Sequence, residues 1–290
     1  MKLTSCKGRT MNETELAIHA NEIRKGIIRG VHAAKAGHPG GSLSSADIMT
    51  YLYFEAMKNI DPADPSNPER DRLVLSKGHA APVLYATLAE KGFFPKEELL
   101  TLRKIGSRLQ GHPDMNLLPG VDMSTGSLGQ GLSTAVGMAL AGKMDQKNYR
   151  VYALLGDGEI QEGQIWEACM FAGHRKLDNL VVILDNNGLQ IDGDIAKVCS
   201  PYPLDEKFMS FNFNVVHADA HNFQSLAEAF AEARETKGMP TAIIAKSIKG
   251  KGVSFMENNA GWHGKAPNDE EFEIAMKDLE NIGAELCQSK

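Results

Sequence analysis

Val151-Tyr152-Ala153-Leu154-Leu155-Gly156-Asp157-Gly158-Glu159 and Leu180-Val181-Val182-Ile183-Leu184-Asp185-Asn186-Asn187 decide the fold of this 290-residue chain. Each is a continuous apolar run of strand length that stops at polar residues. A run without alternation fits a strand buried on both faces of a parallel sheet. Gly163 to His174 between them is patterned as a helix, so the pair reads as strand–helix–strand with a right-handed crossover. Both polar ends then fall at the carboxyl edge of the sheet, where doubly wound folds bind ligands.

The same alternation continues on either side. Leu73-Val74-Leu75, Asn214-Val215-Val216 and Thr241 to Ala245 read as further strands. Glu15 to Ala36, with Leu16, Ile23, Ile27, Ile28 and Val31 at helical spacing, reads as a long helix. Ser44 or Ser45 is expected to cap a second helix reaching Phe54. Pro82 to Lys91, Pro95 to Leu102, Phe223 to Arg234 and the amphipathic stretch Asp269 to Leu286 are expected to be helical. Gly129 to Met144 is so small and apolar that it suits close packing as a helix. Asp61 to Pro68 has the turn chemistry of a surface loop. The expected fold class is α/β, a doubly wound parallel sheet flanked by helices. One domain is expected over 15–290, behind a flexible tail at 1–14.

A net charge of −6 leaves nothing to attract nucleic acid or an anionic membrane. No apolar run approaches the ~18 residues of a membrane-crossing helix, and the basic N-terminus lacks the apolar stretch of a secretory signal. Cys6, Cys169, Cys199 and Cys287 form no Cys-x-x-Cys pair. That argues against a zinc site or disulfide framework and for the reducing cytoplasm.

The chemistry sits at the two polar ends. Gly156 and Gly158 let the backbone approach a ligand closely, and a helix starting near Gly163 would add its positive end. Both invite a phosphate, yet Asp157 inside the turn would repel one. A divalent cation resolves the conflict. Asp157, the Asn187 amide oxygen and a backbone carbonyl are hard oxygen ligands of the kind Mg²⁺ prefers when it bridges phosphates. Gly-Asp-Gly alone would serve equally as a plain turn; with Asn-Asn after the next strand it is far more specific. A dinucleotide fingerprint is excluded because Gln161 stands where its third glycine belongs, and no P-loop motif occurs. His38, His79 and His112 each follow a glycine on a loop, where imidazoles can meet sugar hydroxyls and trade protons. A lone loop histidine is usually a solvated surface residue, and several beside a diphosphate–metal site shift that balance. His19, His32, His174, His217 and His221 read as structural.

Gly156-Asp157-Gly158 through Asn186-Asn187 resembles the thiamine diphosphate motif, and the chain resembles the N-terminal half of transketolase. The likeness runs from His38 to Pro267. It includes Gly37-His38-Pro39-Gly40-Gly41, Ser76-Lys77-Gly78-His79-Ala80, Gly111-His112-Pro113, Thr125 to Gly131, Leu155 to Gly163, Asp185 to Gly193, Lys249-Gly250-Lys251-Gly252 and Trp262-His263-Gly264. The resemblance implies that Asp157, Asn187 and the Leu189 carbonyl hold Mg²⁺, or Ca²⁺ or Mn²⁺ in its place. It implies that Gly158, Asn187, His79, Lys249 and His263 meet the diphosphate, and that Gly126, Ser127 and Leu128 reach the aminopyrimidine through backbone groups. His38, His112 and His263 would line the substrate channel as catalytic residues. Glu162 either complements a helix N-terminus or, by the resemblance, is a catalytic carboxylate where two subunits meet. The run Gly40-Gly41-Ser42 varies among relatives and receives no role.

The implied reaction transfers a two-carbon ketol unit from a ketose phosphate to an aldose phosphate, in the pentose phosphate pathway, with the cofactor carrying the hard chemistry. In the family a second domain supplies the glutamate that activates the aminopyrimidine, and nothing in this chain looks like that domain. The expectation is therefore the N-terminal subunit of a split transketolase. A separate C-terminal subunit, with pyrimidine-binding and C-terminal domains, would complete the site, and two copies of each would assemble. Rival readings are a split enzyme for a sulfo-sugar or branched-sugar phosphate, and an α-type subunit of a 2-oxo acid dehydrogenase. The latter would lack the Gly-His loops and the Trp262-His263-Gly264 segment. A non-catalytic relic would have no need of every ligand residue.

Overall fold

Strands form at Arg72–Leu75 (β1), Val151–Gly156 (β2), Leu180–Asn186 (β3), Leu189–Gln190 (β4), Gly193–Asp194 (β5), Asn214–Asp219 (β6) and Thr241–Lys246 (β7). Of these, β4 and β5 make a small antiparallel ribbon of their own. The computed structural model describes residues 11–288. Its helices are Glu13–Ala34 (α1), Pro39–Ser44 (α2), Ala46–Tyr51 (α3), Ala81–Lys91 (α4), Gln130–Met144 (α5), Gly163–His174 (α6), Ile195–Cys199 (α7), Leu204–Ser210 (α8), Phe223–Glu235 (α9) and Asp269–Gln288 (α10).

The main sheet has the order β1-β2-β3-β7-β6, and every pairing in it is parallel. The chain steps from β1 through β2 to β3, jumps to the far edge at β6, and returns to β7 beside β3. The direction therefore reverses between β3 and β7. A crevice opens at the carboxyl ends of strands at such a switch point. Register fixes what stands there: Gly156 lies beside Asp185, and Asn186 beside Lys246.

Alternating strand residues feed two cores. Leu73, Leu75, Tyr152, Leu154, Val181 and Ile183 pack with α1, α3, α4 and α9. Val74, Ala153, Leu155, Val182 and Leu184 pack with α5, α6 and α8. This two-sided burial is why the strands carry uninterrupted apolar runs.

Several element boundaries differ from expectation. Asn12 caps α1 through a capping box with Glu15, so helix begins at Glu13 and the expected flexible tail does not reach residues 11–14. Residues 1–10 lie outside the described residues. Neither Ser44 nor Ser45 caps a helix by its side chain. The expected single helix is instead α3 followed by a π-turn over Leu52–Ala56, and α2 forms upstream of it over Pro39–Ser44. Lys96–Thr101 is a 3-10 turn rather than the expected α-helix.

Candidate active site

A cavity of about 370 Å³ opens at the carboxyl edge, floored by Gly156, Asp157 and Gly158 after β2 and by Asn187 and Leu189 after β3. Lys249, three residues beyond β7, and His79, four beyond β1, close its sides together with His38 and His263. Four strand ends thus converge on one space.

Beneath it lies a buried ion pair. The Lys77 ammonium donates to Asp185 Oδ2 at 2.5 Å, to Ser45 Oγ at 2.6 Å and to the Gly41 carbonyl at 2.9 Å. Asp185 also accepts from Ser44 Oγ at 2.6 Å, from Asn187 Nδ2 at 3.1 Å and from the Ser247 hydroxyl. Complete burial pushes the Asp185 carboxyl up, but Lys77 and the hydroxyl donors more than offset it and hold it near about 2. The ionised carboxylate takes the Asn187 amide NH₂, which turns that side chain's oxygen the other way. Asn187 Oδ1 accepts from the Leu189 amide at 3.1 Å.

Asp157 is the second buried carboxylate. It accepts from the Gly158 amide at 3.0 Å and the Gly188 amide at 2.5 Å. Burial, then the neighbouring Asp185 charge, push its carboxyl up to about 6. A carboxylate raised in this way is short of positive charge. Among the described residues no group of three or more His, Cys, Asp or Glu could hold a metal. A cation here would be held by one carboxylate, the Asn187 amide and the Leu189 carbonyl, with positions left for phosphate oxygens. That hard-oxygen set fits a divalent cation such as Mg²⁺.

The opposite wall is basic and short of negative charge. Lys249 Nζ reaches the Leu189 carbonyl at 3.3 Å and His263 Nδ1 at 3.1 Å. Burial, then the Lys77 charge, bring Lys249 down to about 8. His38, His79 and His263 form a triangle with ring centroids 5.2 to 5.5 Å apart. Burial leads in holding all three imidazoles neutral. Lys77 adds to it at His79, Lys249 at His263 and Arg103 at His38, giving values of about 2, 3 and 4 respectively. His38 Nδ1 is buried without a hydrogen-bond partner among the described residues.

The expected site residues distribute as follows. Gly126, Leu128, Gly158, Asp157, Asn187, Leu189, His38, His79, Lys249, His263 and Glu162 all border the cavity. Ser127 does not, and its side chain is exposed. His112 stands outside the wall, packed on Gly126: a Cβ added there would come within 3.0 Å of the imidazole, and Gly126 has φ +153°. Burial and Arg103 lower the His112 imidazole as well. Glu162 is exposed and makes no side-chain cap, although it occupies the N-cap position of α6. The helix starts at Gly163 as expected, and a 3-10 turn over Glu159–Gln161 stands between it and Gly158.

Residues given no part in the chemistry turn out to build the site. Lys77 and Asp185 are described above. Glu159 is buried and accepts from Ser76 Oγ at 2.5 Å, the Gly129 amide at 3.0 Å and the Gly156 amide at 3.1 Å, tying α5 to the Gly156-Asp157-Gly158 turn. The Gly40-Gly41-Ser42 run has a packing role: a Cβ on Gly40 would stand 2.9 Å from the Trp262 carbonyl, so only glycine lets α2 approach the His263 turn. The signal for Glu159 was available, since a carboxylate next to two glycine-rich turns invites backbone donors.

Residues 16–283 match the family described as the thiamine diphosphate binding domain of transketolase. The chain is 47% identical to the 6-deoxy-6-sulfo-D-fructose transketolase subunit SqwG of Clostridium sp. (strain MSTE9), over 94% of this chain and 98% of that one. It is 41% identical to an apulose-4-phosphate transketolase subunit of Phocaeicola vulgatus, over 93% of this chain and 95% of that one. With human transketolase it shares 48% identity over 85% of this chain but only 39% of the human protein. The crystal structure of transketolase from Campylobacter jejuni superposes with a TM-score of 0.86 at 32% identity, covering 95% of this chain and 46% of that one. The chain therefore spans about half the length of that solved transketolase and nearly all of the two subunit-length relatives.

Proposed function

The chain belongs to the transketolase family, as its thiamine diphosphate-binding part, and on that footing we propose that it is the N-terminal subunit of a split, Mg²⁺-dependent ketol-transferring enzyme. The observation that carries the proposal is the meeting, in one cavity, of the Asp157–Asn187–Leu189 oxygen set with Lys249 and three neutral imidazoles. One wall suits a divalent cation and the other a diphosphate. Thiamine diphosphate, when bound, supplies the electron sink for breaking and making the carbon–carbon bond.

This chain's own residues then bind, orient and move protons. Asp157, Asn187 and the Leu189 carbonyl hold the cation. Lys249, at about 8 in the free protein, gains its full charge against a phosphate. Gly158 leaves the backbone open to close approach. His38 and His263 on the cavity wall, with His112 near His38, are neutral near pH 7, so each can accept a proton from a sugar hydroxyl and return it. Gly126 and Leu128 present backbone groups at the cavity edge. Glu162, exposed on the cavity rim, would meet a second polypeptide.

Support for a separate partner comes from the two relatives named as parts of a transketolase, which this chain covers at 98% and 95% of their length. The partner would bring the pyrimidine-binding and C-terminal domains, and two copies of each subunit would close a two-fold assembly. Among the described residues no helix is long and apolar enough to cross a membrane. Cysteines scattered without a pairing pattern support placing the enzyme in the cytoplasm. The donor is either a ketose phosphate of the pentose phosphate pathway or a sulfo-sugar or branched-sugar phosphate. Similar identity to the Clostridium protein, at 47%, and to human transketolase, at 48%, gives neither an advantage. The test is to offer the assembled pair xylulose 5-phosphate, 6-deoxy-6-sulfo-D-fructose and apulose 4-phosphate, each with an aldose acceptor, thiamine diphosphate and Mg²⁺. Transfer from any one supports the reading and names the donor. No transfer from a folded pair that binds the cofactor would overturn ketol transfer from these donors.

A further inference from the structure

Behind the Lys249 loop, away from the cavity, Asp47 stands at the centre of a second buried polar network. It takes a two-pronged pair from Arg24, with Nη1 at 3.1 Å and Nη2 at 2.5 Å. It also takes His221 Nδ1 at 2.7 Å. Both partners continue to the loop itself. His221 Nε2 accepts from the Ile248 amide at 2.9 Å, and Arg24 Nε donates to the Lys251 carbonyl at 3.1 Å. Ile248 and Lys251 flank Lys249-Gly250. Three distant parts of the chain, on α1, on α3 and just before α9, therefore converge on the peptide groups on either side of Lys249.

The geometry selects one state of the histidine. An N–H arriving at Nε2 needs a lone pair there, so the neutral ring carries its proton on Nδ1, and that proton goes to Asp47. Asp47 is ionised: burial pushes its carboxyl up, and Arg24, then His221, outweigh this and hold it near about 2. The order of dependence is clear. Arg24 keeps Asp47 charged, Asp47 keeps the His221 tautomer, and His221 holds the Ile248 amide. The loop is held as well by the Gly250 amide, which donates to the Gly40 carbonyl at 3.0 Å, and by the Asn258 amide, which donates to the Lys249 carbonyl at 2.9 Å. A Cβ on Gly250 would lie 2.3 Å from the Met256 carbonyl, so the loop has little slack to find another path.

We propose that Arg24, Asp47 and His221 form a positioning triad that sets the Lys249 loop from behind, so that thiamine diphosphate affinity depends on the acceptor at His221 Nε2. None of the three borders the cavity, so they are positioning residues, acting through Lys249. This inference rests on the reading of Lys249 as a diphosphate contact.

The test uses the assembled pair and thiamine diphosphate with Mg²⁺, titrated by calorimetry. His221→Asn keeps a donor toward Asp47 and removes the acceptor for Ile248. His221→Gln can place its carbonyl oxygen near the Nε2 position and keep that acceptor. The dissociation constant is expected to rise about tenfold in His221→Asn, the size of one buried hydrogen bond, and to stay within about threefold of the parent in His221→Gln. Turnover lost by His221→Asn at limiting cofactor should return as thiamine diphosphate is raised. Arg24→Lys, which loses the bond to Lys251, serves if the histidine variants do not fold, with a rise of about fivefold expected. A purely structural role predicts that affinity follows the urea midpoint, with Asn and Gln weakened alike; that result would overturn the proposal. So would parental affinity in His221→Asn or in Arg24→Lys. Failure of the parent pair to bind thiamine diphosphate would instead overturn the reading of the site, and the positioning role with it.

Discussion

Lys77→Met removes the cation beneath the site and leaves Asp185 with no opposite charge. The side chains of this pair are 2% and 0% exposed. Breaking a buried pair by deleting one partner costs about 3–5 kcal/mol, because the remaining ion is left uncompensated. For a chain of this size, at about 2–4 °C per kcal/mol, the melting temperature should fall by about 6–20 °C. Adding Asp185→Asn should recover at least half of the loss, since the amide oxygen can still accept from Ser44 and Ser247 while the uncompensated charge is gone. The pH dependence has a definite sign. In the parent, Asp185 is lowered from 3.8 to about 2, so its contribution is complete above pH 4 and is lost as pH falls toward 2. In Lys77→Met, burial raises the same carboxyl above its unfolded value, so the penalty is full at high pH and relieved as pH falls through the raised value. Urea unfolding of parent and variant at pH 8 and pH 5 reads both effects. The gap should narrow at pH 5. A variant within about 1 kcal/mol of the parent at pH 8, or a gap that does not change with pH, would refute the ion-pair argument.

Three further outcomes follow from the same geometry. Asp157→Ala should abolish Mg²⁺-dependent thiamine diphosphate binding by the assembled pair, measured by calorimetry; unchanged affinity would put the cation elsewhere. Cofactor binding at pH 8.5 should take up protons, because Lys249, at about 8 in the free protein, recharges against phosphate; titration in buffers of different ionisation enthalpy measures this, and proton release would contradict it. Gly131→Ala should cost about 1–3 kcal/mol, since its Cβ would lie 2.6 Å from the Ser76 hydroxyl, whereas Gly137→Ala on the same helix meets nothing within 4 Å and should gain about 0.5–1 kcal/mol by thermal unfolding.

The sheet was legible because both its faces are covered: the runs at Val151 and Leu180 have no polar alternation, and each ends where the strand ends. The Asp157–Asn187 oxygen set was legible for a related reason. Parallel strands joined by one crossover place their carboxyl ends together, so two polar turns far apart in sequence must be neighbours. Lys77 and Asp185 were not legible in their role. Their partnership spans 108 positions and depends on β2 lying between their strands. Ser44 and Ser45 misled by local rules. A serine before an apolar stretch signals a helix cap, but their hydroxyls go to Asp185, a stronger and more distant acceptor. His112 belongs to a loop whose path follows from packing, and motif spacing says nothing about which way such a side chain turns. His221 read as structural because a lone histidine near a strand end has no pattern; its partners Asp47 and Ile248 become visible only once α3 and the Lys249 loop are folded together.

The central claim is that this chain carries the diphosphate and metal half of a ketol transferase whose other half is a second polypeptide. The direct measurement is ketol transfer from xylulose 5-phosphate to ribose 5-phosphate, with thiamine diphosphate and Mg²⁺, by the chain alone, by its candidate partner alone, and by the co-expressed pair. The account predicts turnover only from the pair, lost in the pair carrying Asp157→Ala. Robust turnover by the purified chain alone would contradict it.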